Sequence, residues 1–480
     1  MFSERRYDIV VIGAGLLGCF AARNLRRWKV SVALIEARED VCTGISRANT
    51  AIIYSGYDHK PGTLKAKMTV QANARMDQLC RELDVPFSRC GSLMVSYGEK
   101  ADAILKQKLH SGFQNGVPGL RLLSGPEAEQ MEPALAHGVR SALYAPTAGT
   151  LNPWALGIAA FENACQNNAD AFFKTTVLDI SAVCGDYCVK TDRGNFLCRA
   201  VVNCAGLASD RVQKLLFPSP VSLSFNAGDY LILDKTSRPM PRYILQYEPE
   251  EDDKGISVVP TVEGSLLVGP SERDGSPDYA TDTEGLSFVR RQLRELLPDL
   301  RADSVIRSFA AARPNPQRPD GSSIGSFVIE HPAHAFWSLI GIKTPGLTCA
   351  DELGLYLAEK IAAELDADEN TAFVPRRNGI PGVRGLEFAQ RKELVQKNAD
   401  YGEILCPCEE VTKAEVLEAI RRGACTVDAV KRRVGTGMGR CQGARCQQKI
   451  IAILSQELGI PESAVTKDGK GTEILYHGAS

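Results

Sequence analysis

The chain has 480 residues, 44% of them hydrophobic and 24% charged, and a formal net charge of -2. A single hydrophobic core stops growing near about 250–300 residues, so two or three domains are expected; the balanced charge excludes capture of nucleic acid or an anionic membrane by bulk electrostatics. No apolar run approaches the ~18 residues needed to span a bilayer. Without a basic segment leading into a long apolar stretch at its start, the sequence predicts a cytoplasmic protein, at most peripheral to the inner face of a membrane through a partner. Its fifteen cysteines include an odd one out and are scattered over a long chain, unlike a secreted disulfide framework.

The first elements follow from "YDIVVIGAGLLGCFAARNLRRWKVSVALIEAR", residues 7–38. Residues 8–12 predict a strand, about 16–26 a helix and 31–35 a second strand. Between strand and helix, Gly13, Gly15 and Gly18 form G-x-G-x-x-G. The first glycine permits the tight turn, the second lets backbone approach a pyrophosphate, and the third lets helix and strand pack closely. The helix N-terminus offers N–H groups and a positive dipole end to phosphate. Glu36 closes the second strand, where a carboxylate can accept hydrogen bonds from ribose hydroxyls. Together these predict an adenine dinucleotide, NAD or FAD.

Further along come "YSGYDHKPGTLKAKMTVQANARMDQLC" (54–80), "CGSLMVS" (90–96), "GFQNGVPGLRLLSGPEAEQMEP" (112–133), "VVNCAGLASDRV" (201–212), "GDYLILDK" (228–235) and "GIKTPGLTCADELG" (341–354). On these segments, residues 7 to about 365 resemble the glycine-oxidase, or D-amino-acid-oxidase-like, superfamily of flavoproteins, and within it the L-2-hydroxyglutarate dehydrogenases. The resemblance implies FAD. It also implies cofactor contacts at Ala14, Ala37, Arg38, Ser46, Thr50, Val177, Ala205, Gly206, Gly341, Gly346, Leu347 and Thr348, besides the glycine turn and Glu36. The last helix is implied to point its N-terminal end at the flavin pyrimidine, where it can stabilise negative charge.

The fold class implied is α/β, with a discontinuous Rossmann-like FAD-binding domain at 1–88, 145–222 and 305–368. An antiparallel-sheet substrate domain is inserted at 89–144 and 223–304. "SFNAGDYLILD" and "GISVVPTVEGSLLVGPS" alternate as strands do, whereas "DELGLYLAEKIAAEL" has helical periodicity. "VPRRNGIPGVRG" (374–385) is rich in Pro, Gly and Arg and marks a linker, placed at 369–402. A small helical domain at 403–456 and a tail at 457–480 complete the chain.

"SFAAARPNPQRPDGSSIG" (308–325) resembles the segment in which a strand-end arginine clamps the substrate carboxylate, which makes Arg313 the substrate anchor. Oxidation of an alcohol also needs a group to take the hydroxyl proton. Where L-2-hydroxyglutarate dehydrogenases often carry histidine in "HSG", this chain has Tyr54 in "YSG", and tyrosine is a poor base near neutral pH. His59 is the first replacement base to test; Lys343 is the second, equally able to hold a substrate anion. The loop "GIKTPGLTCA" keeps the lysine of anaerobic glycerol-3-phosphate dehydrogenases without the arginine that closely follows it there, which favours a carboxylate.

The last motif is a cysteine quartet, Cys406 and Cys408 in "LCPCEEVT" and Cys441 and Cys446 in "GRCQGARC". Thr412 and Glu415 form a T-x-x-E capping box for a helix at 413–420, and a second helix is expected at about 427–433. Four thiolates suit tetrahedral zinc or a [2Fe–2S] cluster, and spacing does not separate the two. With "CEEVT", "AIRRGACTVDAVKRR" and "GMGRCQGARC", residues 403 to 455 resemble the bacterioferritin-associated-ferredoxin-like domain fused to anaerobic glycerol-3-phosphate dehydrogenase large subunits. That resemblance implies a [2Fe–2S] cluster.

The expected activity is oxidation of a small anionic secondary alcohol, glycerol 3-phosphate or an L-2-hydroxy acid such as L-2-hydroxyglutarate. Hydride goes to FAD, and electrons leave through the cluster to an electron-accepting protein subunit or a membrane- or quinone-linked acceptor. An amine or amino-acid dehydrogenase of the same fold and a non-catalytic redox subunit are the alternatives.

Overall fold

Strand Glu4–Ile12, helix Leu16–Leu25 and strand Val32–Ile35 open the chain in the computed structural model, which describes residues 4–475 apart from 251–254, 276–278 and 302–303. The first strand begins four residues earlier than its apolar core predicts, because its polar start pairs in parallel with residues 195–198. It lies between Val32–Ile35 and Gly194–Asn203, both parallel to it, with Asp170–Phe172 outside the former and Phe336–Ile340 beside the latter. Antiparallel strands Val177–Val183, Asp186–Thr191 and Val328–Ala333 extend this to eight strands. Helices Leu16–Leu25, Pro153–Gln166 and Gly346–Glu364 share a core with this sheet.

A nine-stranded, mostly antiparallel sheet forms the second layer, covered by helices Glu99–Gln114, Gly125–Met131 and Thr283–Leu296. Its longest ladder joins Ser222–Leu233 to Val305–Gln317. The latter strand was expected with the nucleotide-binding part, starting at 305; it instead pairs along this sheet, in register from Arg307 to Gln317, with a shift before Val305.

The segment expected as a linker is a strap. The carbonyl of Val374 accepts from Asn163 and Asn167, that of Pro375 from fully buried Arg23, and Arg377 pairs with Glu162. Proline and glycine fix this course without regular structure, and the exposed backbone is satisfied by side chains of the domain beneath. Helix Phe388–Lys397 follows with no buried residue.

The C-terminal unit packs strands Ile404–Cys406 and Val411–Thr412 against helices Lys413–Arg421, Val427–Val434 and Gln447–Leu458 around a small core of its own. The capping box is present: Thr412 Oγ1 accepts from the Glu415 N–H, and the Glu415 carboxylate accepts from the Thr412 N–H at 2.9 Å. Beyond the last helix, Val465 is buried in that core. Among the described residues no helix is long and apolar enough to cross a membrane.

Candidate functional site

A cavity of about 1220 Å³ runs from the glycine turn at the C-terminal edge of the parallel strands to the face of the nine-stranded sheet. Crevices at that edge are where open α/β sheets bind nucleotides. Gly13 has φ +97°, and a Cβ on it would lie 2.6 Å from the carbonyl oxygen of Cys204. On Gly18 a Cβ would lie 1.8 Å from the Gly13 carbonyl, so only glycine allows helix and strand this close. The turn therefore brings backbone at Gly15 and the start of the helix to the cavity wall, where a pyrophosphate can approach closely, and this end of the cavity fits FAD.

The predicted residues divide clearly. Gly13, Gly15, Glu36, Ala37, Arg38, Ser46, Thr50, Val177, Ala205, Gly206, Gly346 and Leu347 line the cavity. Ala14, Gly18, Gly341 and Thr348 are not in its lining and act behind it: Thr348 Oγ1, for example, accepts the N–H of Tyr54 at 3.0 Å. The Glu36 carboxylate accepts the N–H groups of Ala14 at 2.8 Å and Arg38 at 2.9 Å, which fixes its position and leaves lone pairs for a ribose.

At the far end Tyr54, Arg313 and Lys343 line the same cavity. Arg313 and Asn315, two apart, share a face of their strand. Arg313 donates to the Tyr230 hydroxyl at 2.9 Å, and Lys343 donates to Asn315 Oδ1. Burial works against the charge of Arg313, but Tyr230 and Glu272 outweigh it and hold its pKa above the ordinary value. Lys343 moves the other way: burial, then the neighbouring Arg313 charge, lower its pKa. Burial raises the Tyr54 pKa, so its hydroxyl stays protonated.

His59 is not in the lining, although Asp58 before it is. It is 9% exposed, its Nε2 has no hydrogen-bond partner, and burial followed by the charge of Lys65 lowers its pKa to about 4. Sequence reading missed Tyr230 and Asn315. Asn315 carries a signal, its i+2 spacing from Arg313; Tyr230 carries none, since only the register of the ladder brings it there.

The four predicted cysteine ligands come together as two pairs. Cys408 Sγ lies 3.5 Å from Cys441 Sγ, and the thiol of Cys446 is hydrogen-bonded to Cys406. The hydrogen bond from Cys446 and the N–H groups of Gly437, Glu409 and Cys408 lower the Cys406 pKa to about 5. Backbone N–H groups of Arg445 and Gly443 reach Cys441. Among the described residues no three His, Cys, Asp or Glu side chains gather for a single metal ion. The two thiol pairs would suit a binuclear cluster, and backbone N–H groups beside the sulfurs would tune its potential. Cys406 and Cys446 are buried, while Cys408 and Cys441 are partly exposed.

Residues 8–360 match the family of FAD dependent oxidoreductases (DAO), and residues 404–456 match the BFD-like [2Fe-2S] binding domain. A glycerol 3-phosphate dehydrogenase of Caloramator mitchellensis is 39% identical over 98% of this chain and 98% of its own. A mitochondrial L-2-hydroxyglutarate dehydrogenase of Arabidopsis thaliana is 28% identical over 75% of this chain and 84% of its own. Among solved structures, the dithionite-reduced, FAD-bound L-α-glycerophosphate oxidase of Mycoplasma pneumoniae superposes with a TM-score of 0.72 at 22% identity, covering 78% of this chain and 99% of that one.

Proposed function

The chain belongs to the family of FAD dependent oxidoreductases, and on that premise we propose that it dehydrogenates glycerol 3-phosphate at its secondary alcohol and delivers the electrons through its own [2Fe–2S] domain to a partner protein or quinone-linked acceptor. It binds FAD and a [2Fe–2S] cluster and acts on CH–OH donors. The substrate assignment is carried by one observation: the likeness to a glycerol 3-phosphate dehydrogenase extends over 98% of both chains, the cysteine domain included. An L-2-hydroxy acid is the second reading, favoured by the loop at 341–350, which lacks a phosphate-directed arginine.

When bound, FAD supplies the hydride acceptor and the cluster a one-electron outlet. In the proposed site Arg313, steadied by Tyr230, presents its planar fork to the phosphate. Lys343, whose pKa burial and the Arg313 charge lower, accepts the hydroxyl proton in its neutral form, and the resulting ammonium keeps its hydrogen bond to Asn315. Tyr54 remains a donor. His59 is buried outside the lining: His59→Asn is expected to change the rate of flavin reduction less than about fivefold, and a loss within the ~10²–10⁴-fold range of a general base would return the proton to the histidine.

Anaerobic stopped-flow reduction, followed at the flavin band, tests the substrate. Glycerol 3-phosphate is expected to bleach the flavin faster than L-2-hydroxyglutarate or any amino acid. The reverse order would transfer the assignment to the faster compound.

A further inference from the structure

Asp40 is 1% exposed and lies in the segment between strand Val32–Ile35 and the turn Ile45–Arg47. Its carboxylate accepts both Nη groups of Arg433 at 2.8 Å and Nη2 of Arg432 at 3.0 Å. Arg432 also donates to Asp468 at 2.8 Å, and the other oxygen of Asp468 accepts from Arg47 at 2.9 Å. Both ends of segment 40–47 are thus tied to the C-terminal domain. Arg38, just before the segment, and Gly44 and Ser46 within it line the nucleotide cavity; Asp40 does not.

The two arginines sit at the end of helix Val427–Val434, which stops at Gly435. Four residues beyond it, a Cβ on Gly439 would lie 2.5 Å from the Cβ of Cys408, so this backbone packs directly against the cysteine site. The wall of the nucleotide cavity is therefore linked to the cysteine site by a buried ion pair and the backbone from 433 to 439. Separating such a pair leaves charges buried without partners, which is strongly unfavourable, so helix and segment keep their positions together.

We propose that this clamp couples the loading of the two cofactors. Filling the cysteine site fixes residues 435–439 and holds Arg432 and Arg433 against Asp40, which sets the nucleotide wall; each cofactor thereby raises the affinity for the other, as linkage requires. Asp40, Arg432 and Arg433 are positioning residues, and the inference holds whichever alcohol is oxidised.

The test uses the full chain freed of flavin, with FAD affinity read from the fluorescence of titrated FAD. Anaerobic removal of the cluster by a chelator is expected to weaken FAD binding about tenfold or more. Asp40→Asn is expected to weaken it similarly with the cluster in place and to abolish the difference made by removing the cluster. FAD affinities within twofold of each other in cluster-loaded and cluster-free wild type, or a cluster dependence that survives Asp40→Asn, would overturn the proposal. Should Asp40→Asn not fold, Asp468→Asn, which releases only the Arg47 and outer Arg432 contacts, is expected to reduce the cluster dependence, and an undiminished dependence counts against the clamp.

Discussion

Replacing Lys343 by methionine is expected to lower the limiting rate of flavin reduction by about 10²–10⁴-fold, the usual contribution of a positioned proton acceptor. The flavin itself should stay bound, since the glycine turn and Glu36 are untouched. Burial and the Arg313 charge lower the pKa of Lys343, and only its neutral form can accept a proton. The limiting rate in the wild type therefore rises with pH through that pKa and levels off above it; below it the ammonium predominates and the rate falls. Lys343→Met should lose this rising limb. A lysine that merely held the phosphate would behave differently: its removal would raise KM and leave the saturated rate and its pH profile unchanged.

Arg313→Ala is expected to lower kcat/KM by about a thousandfold. Truncating one partner of a buried, hydrogen-bonded charge pair costs roughly 2–5 kcal/mol, and ~4 kcal/mol corresponds to that factor. It would also leave the Tyr230 hydroxyl without the guanidinium it now meets at 2.9 Å. Arg313→Lys should recover only part of the loss, because an ammonium keeps the charge without the two parallel N–H groups of the fork. Steady-state kinetics over a range of glycerol 3-phosphate concentrations checks both variants, and a change below about tenfold in Arg313→Ala would remove the arginine from the substrate site.

Local patterns in the sequence proved reliable where one short stretch of chain supplies both partners. The glycine turn was legible because Gly13 and Gly18 must meet within one strand-turn-helix unit. The same holds for the capping box at Thr412 and Glu415, three residues apart. What depends on register or domain docking was not legible. Tyr230 meets Arg313 across a ladder whose strands lie far apart in the chain. Asp40 meets Arg432 and Arg433 across a domain boundary, and neither end signals the other. At 374–385, where proline and glycine mark a linker, composition did not show that the domain below satisfies the backbone of the segment as a strap. The histidine expected over the flavin lies behind the wall, since a loop residue's sequence position does not say which way its side chain faces.

The most direct measurement mixes the holoenzyme anaerobically with glycerol 3-phosphate, freezes samples at successive times, and follows the flavin band and the electron paramagnetic resonance of the cluster together. Loss of the oxidised flavin band followed by a reduced [2Fe–2S] signal is the expected result, with one electron per cluster. A flavin that glycerol 3-phosphate leaves oxidised, or a cluster that stays oxidised beside a bleached flavin although dithionite reduces it, would contradict the proposed route from alcohol to cluster.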